Sequence, residues 1–260
     1  MIKNGAINWA KKAYMLFVYT LLYFPIFVLV LYSFNQARFS LQWHGFSTHW
    51  YHILFQDSEL WLAFLHSIVL GGLSSFIASA AALIVCVHLF LQGNKTNRSL
   101  QSTLLVLIIL PDLLLGIALL IFFNMTAIPL GFFSLLIAHI TFCLPFSIIA
   151  INSRIHTLDI NLYYSARDLG ATHKKAITHV LLPLLWPAVL SAFLLGFTLS
   201  FDDVIISYFV AGPDFNILPL TIYSLVRMGV TPELNALCSI TFVISMLLVI
   251  IAYRLSRRAL

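Results

Sequence analysis

The chain has 260 residues, of which 61% are hydrophobic and only 9% charged. A soluble domain carries roughly 25% charged residues, so there is too little polar surface here to coat a globule in water. That excludes a water-soluble enzyme, a nucleic-acid-binding domain and a disordered protein, and leaves an all-α integral membrane protein. The formal net charge of +5 is then read as loop lysines and arginines facing a cytoplasm and an anionic leaflet, not as a nucleic-acid footprint.

Six stretches are apolar over the about 20 residues a helix needs to cross the hydrocarbon core. They run from about Tyr14 to Phe34, Trp61 to Leu91, Leu100 to Phe123, Leu130 to Ile151, Leu181 to Val210 and Leu234 to Tyr253. Together they predict one transmembrane domain over residues 1–260. The first stretch is too long for the about 7–15 apolar residues of a signal peptide, and it ends in Tyr32-Ser33-Phe34 where a cleavage site needs small residues. It is read as a retained helix. Lys3, Lys11 and Lys12 precede it. Lys95 and Arg98 lie between spans two and three, and Arg154, Arg167, Lys174 and Lys175 between spans four and five. Arg254, Arg257 and Arg258 close the chain, so twelve of the 14 basic residues share one side and only Arg38 and Arg227 take the other. The imbalance predicts six transmembrane helices with both termini in the cytoplasm.

The outer loop Asn35–Leu60 and the start of span two carry Trp43, Trp50, Tyr51 and Trp61, residues suited to the headgroup interface. His44, His49 and His52 cluster there without an acid or cysteine at ligand spacing, so interfacial histidines are preferred to a metal site. The outer segment Ala211–Glu233 bends at Gly212-Pro213 and Thr231-Pro232. The inner segment 152–180 is the longest polar stretch. Its helical pattern runs over Leu158–Ala176, with Asp159 as a candidate N-cap and Gly170 as an interruption. A loop of that length in so lean a protein suits a soluble partner. The three cysteines, Cys86, Cys143 and Cys238, all fall in apolar runs and give neither a disulfide framework nor a metal spacing.

Gly93-Asn94-Lys95-Thr96 resembles the end of a phosphate-binding loop, but position 88 is His88 instead of glycine, and Asn94 separates Gly93 from Lys95. Any ATP-driven step therefore needs an ATPase on another chain. Gly72-Leu73-Ser74-Ser75 in span two and His139 in span four match the bare outline of an intramembrane serine protease dyad. Gly and Ser are also what closely packed membrane helices require, and that second account is favoured.

Three of the nine acids fall inside spans: Asp112, Asp202 and Asp203. A charge at the bilayer centre costs at least about 2.5–3.5 kcal/mol, so each should face water or a partner. Asp112 follows Pro111, which removes a backbone donor and opens the helix. Asp202 and Asp203 are adjacent, so on a continuous helix they point about 100° apart. No Lys or Arg lies in a span at matching depth. Passage of a cationic substrate is one account of these acids. The others are a salt bridge to a partner subunit, or a break in span five that brings the pair to a wetted end.

The inner loop carries a resemblance. Tyr164-Ser165-Ala166-Arg167-Asp168-Leu169-Gly170, followed by Val180-Leu181-Leu182-Pro183, resembles the cytoplasmic signature of ABC importer permeases. Ala166, Gly170, Val180, Leu182 and Pro183 fall in register, while Tyr164 replaces the usual Glu and Ser165 the first Ala. Further along, Ser200-Phe201-Asp202-Asp203-Val204, Ala211-Gly212-Pro213, Ile217-Leu218-Pro219-Leu220, Ile222-Tyr223-Ser224 and Pro232-Glu233-Leu234-Asn235-Ala236 are similar to polyamine importer permeases of the spermidine/putrescine family. Pro111-Asp112 and His66-Ser67 fit the same pattern, and the likeness covers essentially the whole chain.

The resemblance implies a type I ABC importer permease fold in a bacterial inner membrane, with a cytoplasmic coupling helix between spans four and five. Ser165, Ala166, Arg167, Asp168, Gly170 and Pro183 would form the loop that meets the ATPase. Asp202, Asp203 and Asp112 would line the path of a polyamine. The implied partners are a second permease of the same fold, two cytoplasmic ATPases that hold ATP and Mg, a periplasmic polyamine-binding protein and membrane lipid. The chain itself would hold no cofactor, carry out no catalysis and bind no nucleic acid. The same machine with ferric iron or another small cation as cargo is the alternative. A secondary transporter is disfavoured because no inverted repeat is visible.

Overall fold

The structure, a computed structural model, describes residues 3–37, 42–92, 98–229 and 231–258. Arg38, Lys95 and the Gly93–Thr96 segment lie outside the described residues, as do the side chains of Lys3, Arg98, Arg254, Arg257 and Arg258.

The described residues form α1 (Lys3–Tyr32), α2 (His49–Gln56), α3 (Ser58–Leu91), α4 (Arg98–Ile109), α5 (Asp112–Met125), α6 (Phe132–Ile155), α7 (Asn161–Asp168), α8 (His173–Ala176), α9 (Leu182–Asp202), α10 (Ile205–Val210), α11 (Leu218–Met228) and α12 (Pro232–Arg258). Among the described residues four continuous stretches are long and apolar enough to cross a membrane: Lys11–Tyr32, Ser58–Leu91, Phe132–Ile155 and His173–Asp202. A further apolar pair of helices is bent. Ser102–Ile109 and Asp112–Met125 meet at 105°, because Pro111 lacks the N–H that would continue α4 and is itself extended (φ −59°, ψ 136°). In α12 the apolar part is Pro232–Leu247.

The stretch expected as span five is also divided. α9 ends at Asp202, Asp203 is extended (φ −72°, ψ 124°), and α10 restarts at Ile205. At the other end, Ile177–Leu181 form a π-type turn between α8 and α9. Pro183 explains it: its ring would clash with the carbonyl four residues back, and an extra residue in the turn relieves the clash.

The chain folds as two compact units. In the first, Met1–Trp61 with Ile222–Leu248, the end of α1 is tied to α2. Asn35 bridges Phe46 in a short antiparallel pairing. The Phe34 ring stacks on Phe46 at 4.9 Å and lies 5.0 Å from Tyr51. Trp50 is 6% exposed and donates its indole N–H to the Asn35 carbonyl at 2.9 Å. Here Trp50 differs from the headgroup anchor expected of it, because the carbonyl satisfies its one donor and lets the ring be buried. Trp43 remains exposed and meets Tyr32 edge-on. Among the described residues no three His, Cys, Asp or Glu side chains converge to hold a metal ion.

The second unit, Leu62–Thr221 with Val249–Leu260, has two apolar clusters with a polar band between them. One cluster packs Ala82, Cys86 and Phe90 of α3 against Ile148, Ile151 and Ile155 of α6 and Leu181, Leu185 and Ala192. The other packs Leu70 of α3 against Leu115 and Phe123 of α5, Leu135 and Ala138 of α6, and Ile206 and Val210 of α10. Between them lie the buried side chains Ser74, Ser75, His139, Ser200, Asp203 and Ser207. Small residues bring the backbones close there: the Cys143 thiol reaches the Gly196 carbonyl at 3.3 Å.

Candidate functional site

The three acids singled out in the sequence come to one place. Asp112, Asp202 and Asp203 line a cavity of about 360 Å³ together with Phe142, Thr198 and Ile205. Each acid stands beside a break in a helix. Asp112 is the first residue of α5 after the Pro111 bend, Asp202 ends α9, and Asp203 lies in the gap before α10. The breaks supply what an intramembrane carboxylate needs, a polar environment at a helix end, which neither intact helix would offer.

The two adjacent acids are used differently. Asp202 and Asp112 are exposed to the cavity. Asp203 is 8% exposed and fully engaged. Its Oδ1 accepts the Ile206 amide N–H at 3.1 Å, and its Oδ2 accepts the Ser207 amide at 2.8 Å and the Ser207 hydroxyl at 2.8 Å. These are two of the free amides in the first turn of α10, so Asp203 caps that helix from just before its start. His139 Nε2 stands 3.7 Å from the same Oδ2.

Ser74 and His139 do not form a dyad. Ser200 stands between them: the Ser74 hydroxyl donates to Ser200 at 3.1 Å, and Ser200 meets His139 Nδ1 at 2.6 Å. Ser74 is fully buried, with no room for a scissile bond beside it.

Sequence reasoning missed Phe142, Thr198, Ser200 and Ser207, and gave His139 the wrong neighbour. The signal was present in Ser200, Asp203 and Ser207, which recur at three and four residues and so share one helical side, next to the single histidine of α6.

The inner-loop residues form a separate feature. α7 ends in a Schellman turn. The Ala171 N–H returns to the Ala166 carbonyl and the Gly170 N–H to the Arg167 carbonyl, both at 3.0 Å, with Gly170 at φ +88°. Asp159 Oδ1 accepts the Asn161 amide at 2.9 Å, so the expected N-cap acid meets the helix from one residue before its N-cap, Ile160. Tyr163 is buried, and its hydroxyl meets His173 Nδ1 at 2.6 Å. Ala166 packs on the apolar cluster. Ser165, Arg167 and Asp168 are exposed, and Leu169 at the tip is 89% exposed. Pro183 stands in the first turn of α9.

Residues 74–260 match the family described as the binding-protein-dependent transport system inner membrane component. The chain belongs to that family. This inner membrane component is 40% identical over 248 residues to the spermidine/putrescine transport system permease protein PotC of Haemophilus influenzae, covering 95% of this chain and 96% of the relative. It is 40% identical over 247 residues to PotC of Escherichia coli, covering 95% and 94%. The putrescine transport system permease protein PotI of Escherichia coli is 35% identical over 229 residues, covering 85% and 82%. Among solved structures, a bacterial ABC transporter involved in the import of the acidic polysaccharide alginate superposes with a TM-score of 0.74 at 17% identity, covering 98% of each chain. The inward-facing MetNI methionine ABC transporter gives a TM-score of 0.66 at 16% identity, over 78% of this chain and 99% of that one. Those two likenesses establish an ABC importer permease fold. As a permease component the chain is a non-catalytic part of its transport system.

Proposed function

We propose that this inner membrane component is one permease half of an ATP-driven importer that moves spermidine or putrescine from periplasm to cytoplasm. The observation that carries the reading is the convergence of Asp112, Asp202 and Asp203 on one cavity whose lining contains no Lys or Arg. A polyamine is a flexible chain of ammonium groups. Exposed carboxylates on Asp202 and Asp112 would bind those groups, and the Phe142 ring beside them supplies an apolar and cation–π wall. The names of the 40%-identical relatives support the same cargo.

In this reading the divided α4–α5 pair is one crossing, α12 is another, and the chain crosses the membrane six times with both termini cytoplasmic. The α7–α8 knob then faces the cytoplasm. Its exposed Leu169, Arg167 and Asp168 would dock on an ATPase, two copies of which bind ATP and Mg and drive alternating access. A second permease of related fold completes the pathway, and a periplasmic binding protein delivers the polyamine.

The test is uptake of labelled spermidine and putrescine by the reconstituted transporter carrying Asp202→Asn. Losing one charge-assisted contact should raise KM about tenfold or more. An unchanged KM for both polyamines, or uptake displaced by ferric iron and not by polyamine, would overturn the assignment.

A further inference from the structure

Five buried side chains from four helices and one break form a single run of hydrogen bonds: Ser74 on α3, Ser200 on α9, His139 on α6, Ser207 on α10, and Asp203 between α9 and α10. Counting protons, with each placed on its nearer acceptor, gives its direction. The Ser207 hydroxyl donates to Asp203 Oδ2 at 2.8 Å. A serine has one hydroxyl proton, so toward His139 Nε2, 2.9 Å away, Ser207 can only accept. Nε2 therefore carries a hydrogen. At the other end the Ser74 hydroxyl has two acceptors in reach, Ser200 Oγ at 3.1 Å and the Gly71 carbonyl at 3.3 Å; placed on the nearer, its proton leaves the Ser200 proton for His139 Nδ1 at 2.6 Å. Nδ1 therefore accepts. An imidazolium would set a second N–H against the Ser200 proton and require Ser200 to turn it to Ser74, with the Ser74 proton moved to the longer contact with the Gly71 carbonyl. The tautomer is thus assigned from the network around the ring.

We propose that His139, as a neutral imidazole protonated on Nε2, is a positioning residue for the cation cavity. It clamps α6 to one residue a turn before Asp203 and to another a turn after it. Asp203 holds the start of α10 by its own three hydrogen bonds, so the corner can fold without the histidine. What His139 adds is the orientation of that corner against α6, and with it the direction in which Asp202 leaves the end of α9 toward the cavity. The positioning role rests on the reading of the cavity as the cation site. The tautomer does not.

Two measurements test it. The first is ¹⁵N NMR of histidine-labelled permease in the assembled transporter in lipid, with His139 recognised by contacts from both ring nitrogens to ¹³C-labelled serine. A proton-bearing Nε2 and a bare Nδ1 are expected. An imidazolium, or a proton on Nδ1, overturns the assignment. The second is polyamine uptake by His139→Gln, whose amide reaches the Nε2 position, and His139→Asn, whose amide reaches only the Nδ1 position. His139→Asn should raise KM about tenfold, the weight of a lost buried hydrogen bond, with little change in maximal rate, and His139→Gln should recover most of that loss. A KM that responds to Asp202→Asn but to neither His139 variant, or to both equally, overturns the positioning role alone. A KM that responds to none of the three overturns the cavity reading and the positioning role with it.

Discussion

Asp203 closes the start of α10 with three hydrogen bonds, while Asp202, its neighbour in the chain, stands exposed at the cavity. The pair thus divides a helix cap from a cavity-lining carboxylate at a single peptide bond. Asp203→Ala should cost about 1–3 kcal/mol, the range for unmet buried donors and a lost cap. It should lower the Tm of the purified transporter and the yield of monodisperse protein. Asp202→Asn should leave both unchanged. Equal Tm values for the two variants would refute the division.

The Ser67 hydroxyl accepts the Leu218 amide at 2.8 Å. Leu218 opens α11, so α3 caps that helix from outside its own segment. One residue earlier, the His66 ring stacks on Phe215 at 4.0 Å, and its Nδ1 meets the Asn216 carbonyl at 2.8 Å. Ser67→Ala should weaken the start of α11 by about 1 kcal/mol, as other lost N-caps do. Faster hydrogen exchange at Leu218 and its neighbours, with no change in the α5–α6 region, is the expected result.

Much of this was legible in the sequence because membrane helices follow simple rules. Apolar runs located the long helices, and Pro111 marked the bend. Gly170, with its positive φ, could be read as the end of a helix from residue type alone. The gap at Asp203 was one of the accounts that the adjacent acids left open, and composition did not choose among them. Only the pairing of Asp203 with the amides of Ile206 and Ser207 closes one helix and opens another. The partner of His139 was half legible: Ser200, Asp203 and Ser207 recur at helical spacing, but helix packing chooses between that side and Ser74 of α3. Burial of Trp50 depended on the Asn35 carbonyl, 15 residues away.

Gly212 is required by close approach. A Cβ built on it would lie 2.2 Å from the Leu130 carbonyl oxygen and 2.9 Å from the Gly131 nitrogen, both backbone atoms that cannot rotate away. Gly212→Ala should therefore force the 211–217 segment off the α5–α6 connection, at the roughly 1–3 kcal/mol typical of overpacking. A lowered Tm, with polyamine KM altered less than in Asp202→Asn, is the expected pattern. A variant with native Tm would show that this contact yields easily.

Gly170→Ala separates the inner knob from the cavity. At φ +88° an alanine is strained by about 1–2 kcal/mol, while the space around the added Cβ is open, so the penalty is conformational and not steric. The Schellman turn would loosen, and Leu169 would lose its fixed direction at the tip. If the knob transmits ATPase closure, the variant should hydrolyse ATP at a rate less responsive to the polyamine-loaded binding protein, and move fewer polyamines per ATP. The KM for polyamine should stay near that of the unmodified protein, because Asp112, Asp202 and Phe142 belong to a different part of the unit. Tyr163→Phe, which removes the hydroxyl at 2.6 Å from His173, should loosen coupling in the same direction by releasing α7 from α8. Both ratios are read from parallel ATPase and uptake measurements on one preparation, and full coupling in both variants would remove the knob from transmission.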